Sequence, residues 1–184
     1  MILMDYRLIE LCRAGDASAI EHFVQTYQQD IYHLALSILD DSIEAEDATQ
    51  EALLAALRAL DSFHGISSLK TWIYSITVNI CRTRLQHHKR RERLTEILGG
   101  FLRVLGTRMP SVEEDAIQHE SDETLWRSIH NMDEKHRIPI VLRYYHELSV
   151  AEIASILQIP EGTVHSRLNT ARKHLHDVLK EGNV

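Results

Sequence analysis

Residues 149–167 read Ser-Val-Ala-Glu-Ile-Ala-Ser-Ile-Leu-Gln-Ile-Pro-Glu-Gly-Thr-Val-His-Ser-Arg, an order that few folds accommodate. Ser149 can accept a hydrogen bond from the Glu152 amide while the Glu152 carboxylate returns to the Ser149 amide, a capping box that fixes where a helix starts. Gln158-Ile159-Pro160 then stops that helix and opens another, because Pro cannot continue a helix but suits the first turn of the next. Ala154 is small where two helices must cross, and Ile159 can plug the angle between them, so the segment reads as a helix-turn-helix. On the second helix Val164, Leu168, Ala171, Leu175 and Val178 recur at helical spacing as one apolar stripe. That stripe leaves Thr163, His165, Ser166, Arg167, Asn169, Arg172 and Lys173 facing out. Hydroxyl, amide and guanidinium groups near the start of such a helix can reach base edges in a major groove, while Arg172 and Lys173 can hold phosphates.

The rest of the chain is helical by the same logic. Seven Gly and three Pro in 184 residues leave too few turns for a strand-rich fold. From Tyr6 to His64 the apolar spacing predicts about three helices, with Asp40-Asp41-Ser42 capping between two of them. After the loop Ser62-Phe63-His64-Gly65, Ser67 or Ser68 can cap a long helix running to about Arg93. Gly99-Gly100, Gly106 and Pro110 then interrupt the pattern. Further helices are predicted near 121–131, 134–146, 149–157 and 161–180. The expected fold is all-α, with two small helical domains (1–93 and 120–184) joined by a flexible linker at 94–119.

The net charge of −7 is unevenly divided along the chain. Residues 1–61 carry three basic and twelve acidic side chains, 62–111 nine and two, 112–136 two and eight, and 137–184 six and five. Electrostatic attraction is screened beyond roughly 8–10 Å, so a basic block can hold nucleic acid while a distant acidic block seeks a basic protein partner.

The basic block has an internal pattern. On the helix that starts at Ser68, Leu69, Ile73, Ile76 and Ile80 form a core stripe. Beside it run Trp72, Ser75, Asn79, Arg82, Gln86 and Lys89, followed by His87-His88-Lys89-Arg90-Arg91. An aromatic ring, an amide and several cations on one edge suit stacking of unpaired bases and tracking of a single strand's phosphates.

Cys12 and Cys81 belong to no Cys-x-x-Cys or metal-spaced cluster and are expected to be reduced and buried. Met1-Ile2-Leu3-Met4 is followed at once by Asp5, Arg7 and Glu10, which is not a signal peptide, and no apolar run is long enough for membrane insertion. A cytoplasmic protein is expected. The twelve His form no catalytic or metal-binding set with Ser, Asp or Cys, so neither an enzyme nor a cofactor site is predicted.

Ala45-Glu46-Asp47-Ala48-Thr49-Gln50-Glu51, Ala59-Leu60-Asp61-Ser62-Phe63, Ser67-Ser68-Leu69-Lys70-Thr71-Trp72-Ile73 and Val78-Asn79-Ile80 together resemble region 2 of the extracytoplasmic-function sigma factors, group 4 of the sigma-70 family. Pro160-Glu161-Gly162-Thr163-Val164-His165-Ser166-Arg167-Leu168, with Ala171-Arg172, is similar to their region 4. The resemblance implies a factor that binds core RNA polymerase and directs promoter-specific initiation. It implies that Asp47, Gln50 and Glu51, which share a helix face, meet the β′ clamp helices, and that the second domain meets the β flap. Phe63, His64, Ser67, Ser68 and Lys70, with the stripe from Trp72 through Ser75, Asn79, Arg82 and Gln86 to Lys89, would engage and melt the minus-ten element. Thr163, His165, Ser166, Arg167, Asn169, Arg172 and Lys173 would read the minus-thirty-five element. The linker would thread toward the polymerase active-site and RNA-exit channels, and an anti-sigma factor would mask both domains. Three positions depart from the family: Gln158 stands where Gly is usual, His165 where Lys is usual, and Arg82-Thr83-Arg84-Leu85 lacks a customary acid. Two rival readings use the same residues: a DNA-binding regulator independent of polymerase, or a helical adaptor whose acidic face contacts protein only.

Overall fold

The computed structural model describes residues 2–104 and 120–181. Eight helices follow one another: α1 (Ile2–Arg13), α2 (Ala17–Leu39), α3 (Ser42–Ala59), α4 (Leu69–Val104), α5 (Glu120–His130), α6 (Glu134–Tyr144), α7 (Val150–Leu157) and α8 (Glu161–Glu181), with a 3₁₀ turn at Leu60–Ser62. The helix boundaries follow local chemistry. Asp16 and Asp41 accept from the amides of Ala19 and Glu44 at 2.8 and 2.9 Å and so cap α2 and α3. Asp40 ends α2 in the left-handed region, a conformation that a short polar side chain tolerates.

In the first half α2, α3 and α4 pack against one another, with α1 laid on α2. Ala45, Ala48, Ala52 and Ala56 are buried along α3, and their small side chains let its backbone approach its neighbours closely. Phe23, Ile31, Leu60, Leu69 and Ile73 fill one core cluster. Cys12 and Cys81 are buried and unpaired, and burial pushes the Cys81 thiol up to about 12.

Helix α4 extends beyond its predicted end. The sequence places the start of the linker at residue 94, but the helix runs on to Val104 through Gly99-Gly100. Each Gly costs about 1 kcal/mol in a helix interior, and the Leu, Ile and Phe residues on either side are compatible with continuing it. The remainder of the expected linker, 105–119, lies outside the described residues.

Besides its predicted stripe, α4 carries a second apolar row, Tyr74, Val78, Cys81 and Leu85, all buried. This row meets the second half. Tyr74, Val78 and Leu85 share one cluster with Leu142 on α6, Ile153 and Ile156 on α7, and Val164 and Leu168 on α8, so the halves meet across a continuous apolar seam. Polar contacts ring it. The Arg137 guanidinium donates to the carbonyls of Ile38 at 3.0 Å and His130, and the His130 ring lies 3.2 Å from the Ser37 carbonyl and 2.9 Å from Asp40. The second half thus satisfies carbonyls at the C-terminal end of α2, where cations are favoured. On α4, Lys89 Nζ lies 2.7 Å from Asp133, and Gln86 donates to Glu134 at 3.2 Å.

The seam contains a proton-sensitive group. His146 lies 3.1 Å from Ser37 Oγ and edge-on to Tyr74. Burial, reinforced by Lys70 and His33 and opposed by Asp30, pushes its imidazole down to about 4. His130 is also lowered, chiefly by burial, although Asp40 opposes the shift. Between about 6.5 and about 4 the unfolded chain binds a proton at such a site and the folded chain does not, so stability falls as pH falls through that window. Thermal unfolding is expected to show Tm dropping from pH 7 to pH 5, with a shallower drop in His146→Gln.

Candidate nucleic-acid interface

The helix-turn-helix is built as its residues dictate. Ser149 Oγ accepts from the Glu152 amide at 3.2 Å and the Ser149 amide donates to Glu152 Oε2 at 2.8 Å, completing the capping box; the Ser149 hydroxyl, donating to the same oxygen at 2.7 Å, and then the Ser149 amide hold the Glu152 carboxyl below its usual range. Gln158 closes α7 at φ 53°, ψ 46°, the left-handed position that the family usually gives to Gly. The amides of Thr163 and Val164 then reach the Pro160 carbonyl at 2.9 and 3.2 Å, so α8 starts beside the proline. Val164, Leu168 and Ala171 are buried beneath α8. His165, Ser166, Asn169, Arg172 and Lys173 are exposed, while Thr163 and Arg167 are half-buried. This polar row is long enough to lie along a groove. Behind it an apolar groove of about 430 Å³ runs between α5, α6 and α8, lined by Leu125, Trp126, Tyr144, Tyr145 and Leu175, with Arg172 at its edge.

The second surface follows α4. Trp72 is half-buried against the Phe63 ring, 5.4 Å between centroids, and Ser75, itself half-buried, donates to the Trp72 carbonyl at 2.6 Å. Asn79 and Gln86 are exposed, and Arg82 and Lys89 half-buried. Several of the predicted contact residues already have partners within the chain. Phe63 is only 8% exposed and belongs to the core cluster, where its ring backs Trp72. Ser68 Oγ caps α4 by accepting from the Thr71 amide at 3.0 Å. Lys70 pairs with Asp30 at 2.6 Å, and Gln86 and Lys89 are engaged by the second half. His64 is exposed and Ser67 half-buried.

The third surface is α3. Asp47, Gln50 and Glu51 are all exposed. The Glu51 carboxylate, however, takes the Arg84 guanidinium at 2.9 Å, and Arg84 also reaches Glu44 at 2.6 Å and holds that carboxyl low. Arg84 lies in the tetrapeptide that lacks the family's acid, and here it bridges α4 to α3. Two exposed apolar side chains escaped the sequence reading: Ile43 (74%) and Leu54 (52%) flank Asp47 and Gln50 at spacings of four, three and four, forming one row. The spacing was legible in the sequence, but the exposure was not.

Among the described residues no group of three or more His, Cys, Asp or Glu could hold a metal ion, and no helix is long and apolar enough to cross a membrane.

These surfaces and this fold define a two-part helical DNA-binding protein of the sigma-70 type: residues 23–91 match the family model for Sigma-70 region 2, and 122–175 match that for Sigma-70, region 4. The chain is 33% identical to the ECF RNA polymerase sigma factor SigW of Bacillus subtilis, over 98% of this chain and 100% of that one. It is 34% identical to the ECF RNA polymerase sigma-E factor of Escherichia coli K12, over 93% and 92%. Its fold resembles that of CnrH, solved with the cytosolic domain of CnrY (TM-score 0.65, 22% identity, 95% of this chain and 96% of that one). It also resembles the sigma factor RpoE of Bartonella quintana, solved with the anti-sigma factor NepR (TM-score 0.64, 23% identity, 87% and 96%). The chain belongs to the extracytoplasmic-function sigma factors. Its function is promoter-specific transcription initiation with core RNA polymerase.

Proposed function

We propose a division of labour among the three surfaces, with residues 1–93 as the region 2 domain, 94–119 as the linker and 120–184 as the region 4 domain. Asp47 and Gln50, with Glu51 beside them, dock on the β′ clamp helices. His64, Ser67, Trp72, Ser75, Asn79, Arg82, Gln86 and Lys89 handle the minus-ten element. Thr163, His165, Ser166, Arg167, Asn169, Arg172 and Lys173 read the minus-thirty-five element, and the second domain meets the β flap away from that row. The observation that carries this reading is the two-sidedness of α8: Val164, Leu168 and Ala171 are buried while His165, Ser166, Asn169, Arg172 and Lys173 stand in solvent. Direct contacts to bases and phosphates then need no rearrangement of that helix. On this reading the chain acts by binding promoter DNA and core polymerase, in the cytoplasm with the polymerase. An anti-sigma factor that masks both domains completes the proposal, supported by the complexes in which RpoE and CnrH were solved.

The test is reconstitution. The purified chain added to core RNA polymerase is expected to yield discrete transcripts from host genomic DNA that neither component yields alone. Failure to bind core would overturn the proposal.

A further inference from the structure

The corner between α5 and α6 grips the first half in two ways. His130 and Arg137 cover the carbonyl end of α2, where Arg137 donates to the Ile38 carbonyl at 3.0 Å and the His130 ring lies 2.9 Å from Asp40. Asp133 and Glu134, a few residues away, lie instead on α4. Asp133 Oδ1 takes the Lys89 ammonium at 2.7 Å, and Glu134 Oε1 accepts from the Gln86 amide at 3.2 Å. Gln86 and Lys89 close the stripe that begins at Trp72.

Folding gives little account of the acidic pair. Asp133 stands at the N-cap of α6, yet its side chain makes no capping bond and is 54% exposed. Glu134 buries its Oε2 without a hydrogen-bond partner, and a carboxylate oxygen left dry and unpaired disfavours the closed arrangement. What the two carboxylates share is their target. They set negative oxygens against an ammonium and an amide that, on α4, suit the backbone of a single strand. Because the apolar seam and Arg137 already hold the halves together, these acids act at a high effective concentration and need little affinity of their own to compete with a free strand. Lys89 and Asp133 both remain partly exposed, so the pair exchanges readily once the halves separate.

We propose that Asp133 and Glu134 stand in for phosphates of the minus-ten strand, occupying the C-terminal part of the α4 stripe in the free chain and vacating it when core polymerase draws the halves apart. Single-stranded DNA is then admitted to the whole stripe in holoenzyme and kept from its end in the free chain. This rests on the role proposed above for α4 at the melted strand. It gives a specific task to two residues that the sequence placed only within an acidic block.

The probe is a fluorescein-labelled single strand carrying the non-template minus-ten element of a promoter recovered from the genomic transcription assay. Its anisotropy is followed on titration with the full chain alone and with holoenzyme. The double variant Asp133→Asn, Glu134→Gln keeps the size and polarity of both side chains. As free chain it is expected to bind about tenfold tighter than the wild type, with a slope of log affinity against log salt steeper by about 0.7, the release that one phosphate contact adds on a single strand. Asp133→Asn alone should carry the change in slope, since Lys89 is the charged member of the target. In holoenzyme the double variant should bind as the wild type does. The same loss of two charges by Glu21→Gln with Asp177→Asn, at exposed positions on α2 and α8, should leave the free chain unchanged. Absence of a gain in the free double variant would overturn the proposal. So would an equal gain in holoenzyme or in the Glu21, Asp177 variant, either of which reduces the effect to net charge. Failure of wild-type holoenzyme to hold the strand would instead remove the role of α4 itself, and that measurement involves no variant, so the two failures are distinguishable.

Discussion

Asp47→Lys is expected to abolish binding to core polymerase, lowering affinity by at least about 100-fold, because a like charge placed in a docked interface costs several kcal/mol. Asp47 lies mid-row between Ile43, Gln50 and Leu54, a mixed apolar and polar strip that suits a partner helix with basic residues along its edge. Glu51→Gln is expected to have a smaller effect, since that carboxylate already neutralises Arg84. Arg172→Glu should leave core affinity unchanged and weaken use of promoters that depend on the minus-thirty-five element. Affinity for fluorescently labelled core, measured at one salt concentration, separates these variants. Equal losses for Asp47→Lys and Arg172→Glu would contradict separate docking and reading surfaces.

Holding the seam shut is expected to block two-element initiation almost completely. The longest element, α4, spans about 54 Å over its 36 residues at 1.5 Å per residue. Elements centred ten and thirty-five base pairs upstream of the start are about 85 Å apart at 3.4 Å per step. With Tyr74, Val78 and Leu85 in one core with α6 and α7, which carry α8, the two DNA-reading helices cannot reach both elements. The same contact engages Lys89 and Gln86 with Asp133 and Glu134. Joining Lys89→Cys to Asp133→Cys with a short cleavable bis-maleimide should therefore cut transcription from a two-element promoter by about 100-fold, with recovery on cleavage. The native Cys12 and Cys81 are both buried and compete poorly for the reagent. Undiminished transcription from the joined chain would show that the seam stays closed on the promoter.

Features set by local chemistry were legible in the sequence. The Ser149–Glu152 capping box, the stop at Gln158 and the Val164, Leu168, Ala171 stripe depend on residues within a few positions of each other, and the structure reproduces them. The row Tyr74, Val78, Cys81, Leu85 has the same periodicity, but periodicity does not name a partner, and here the partner lies more than fifty residues further on. The Arg84 bridge to Glu44 and Glu51 is equally long-range, so the sequence presented Glu51 as an open acid. Exposure was the other blind spot. Phe63 has the aromatic character of a base-stacking residue yet fills the core, while Ile43, Leu54 and Ile66 have the character of core residues yet face water. Apolar character predicts burial only on average, and surface function often resides in the exceptions.

The most direct test of the divided surfaces is site-specific photocrosslinking in the promoter-bound holoenzyme, with a photoreactive amino acid placed in turn at Asp47, Asn79 and Asn169. The label at 47 should join the β′ subunit, that at 79 the non-template strand within the minus-ten element, and that at 169 the duplex at the minus-thirty-five element. Attachment of the label at 47 to DNA, or of the label at 169 to polymerase alone, would contradict the assignment.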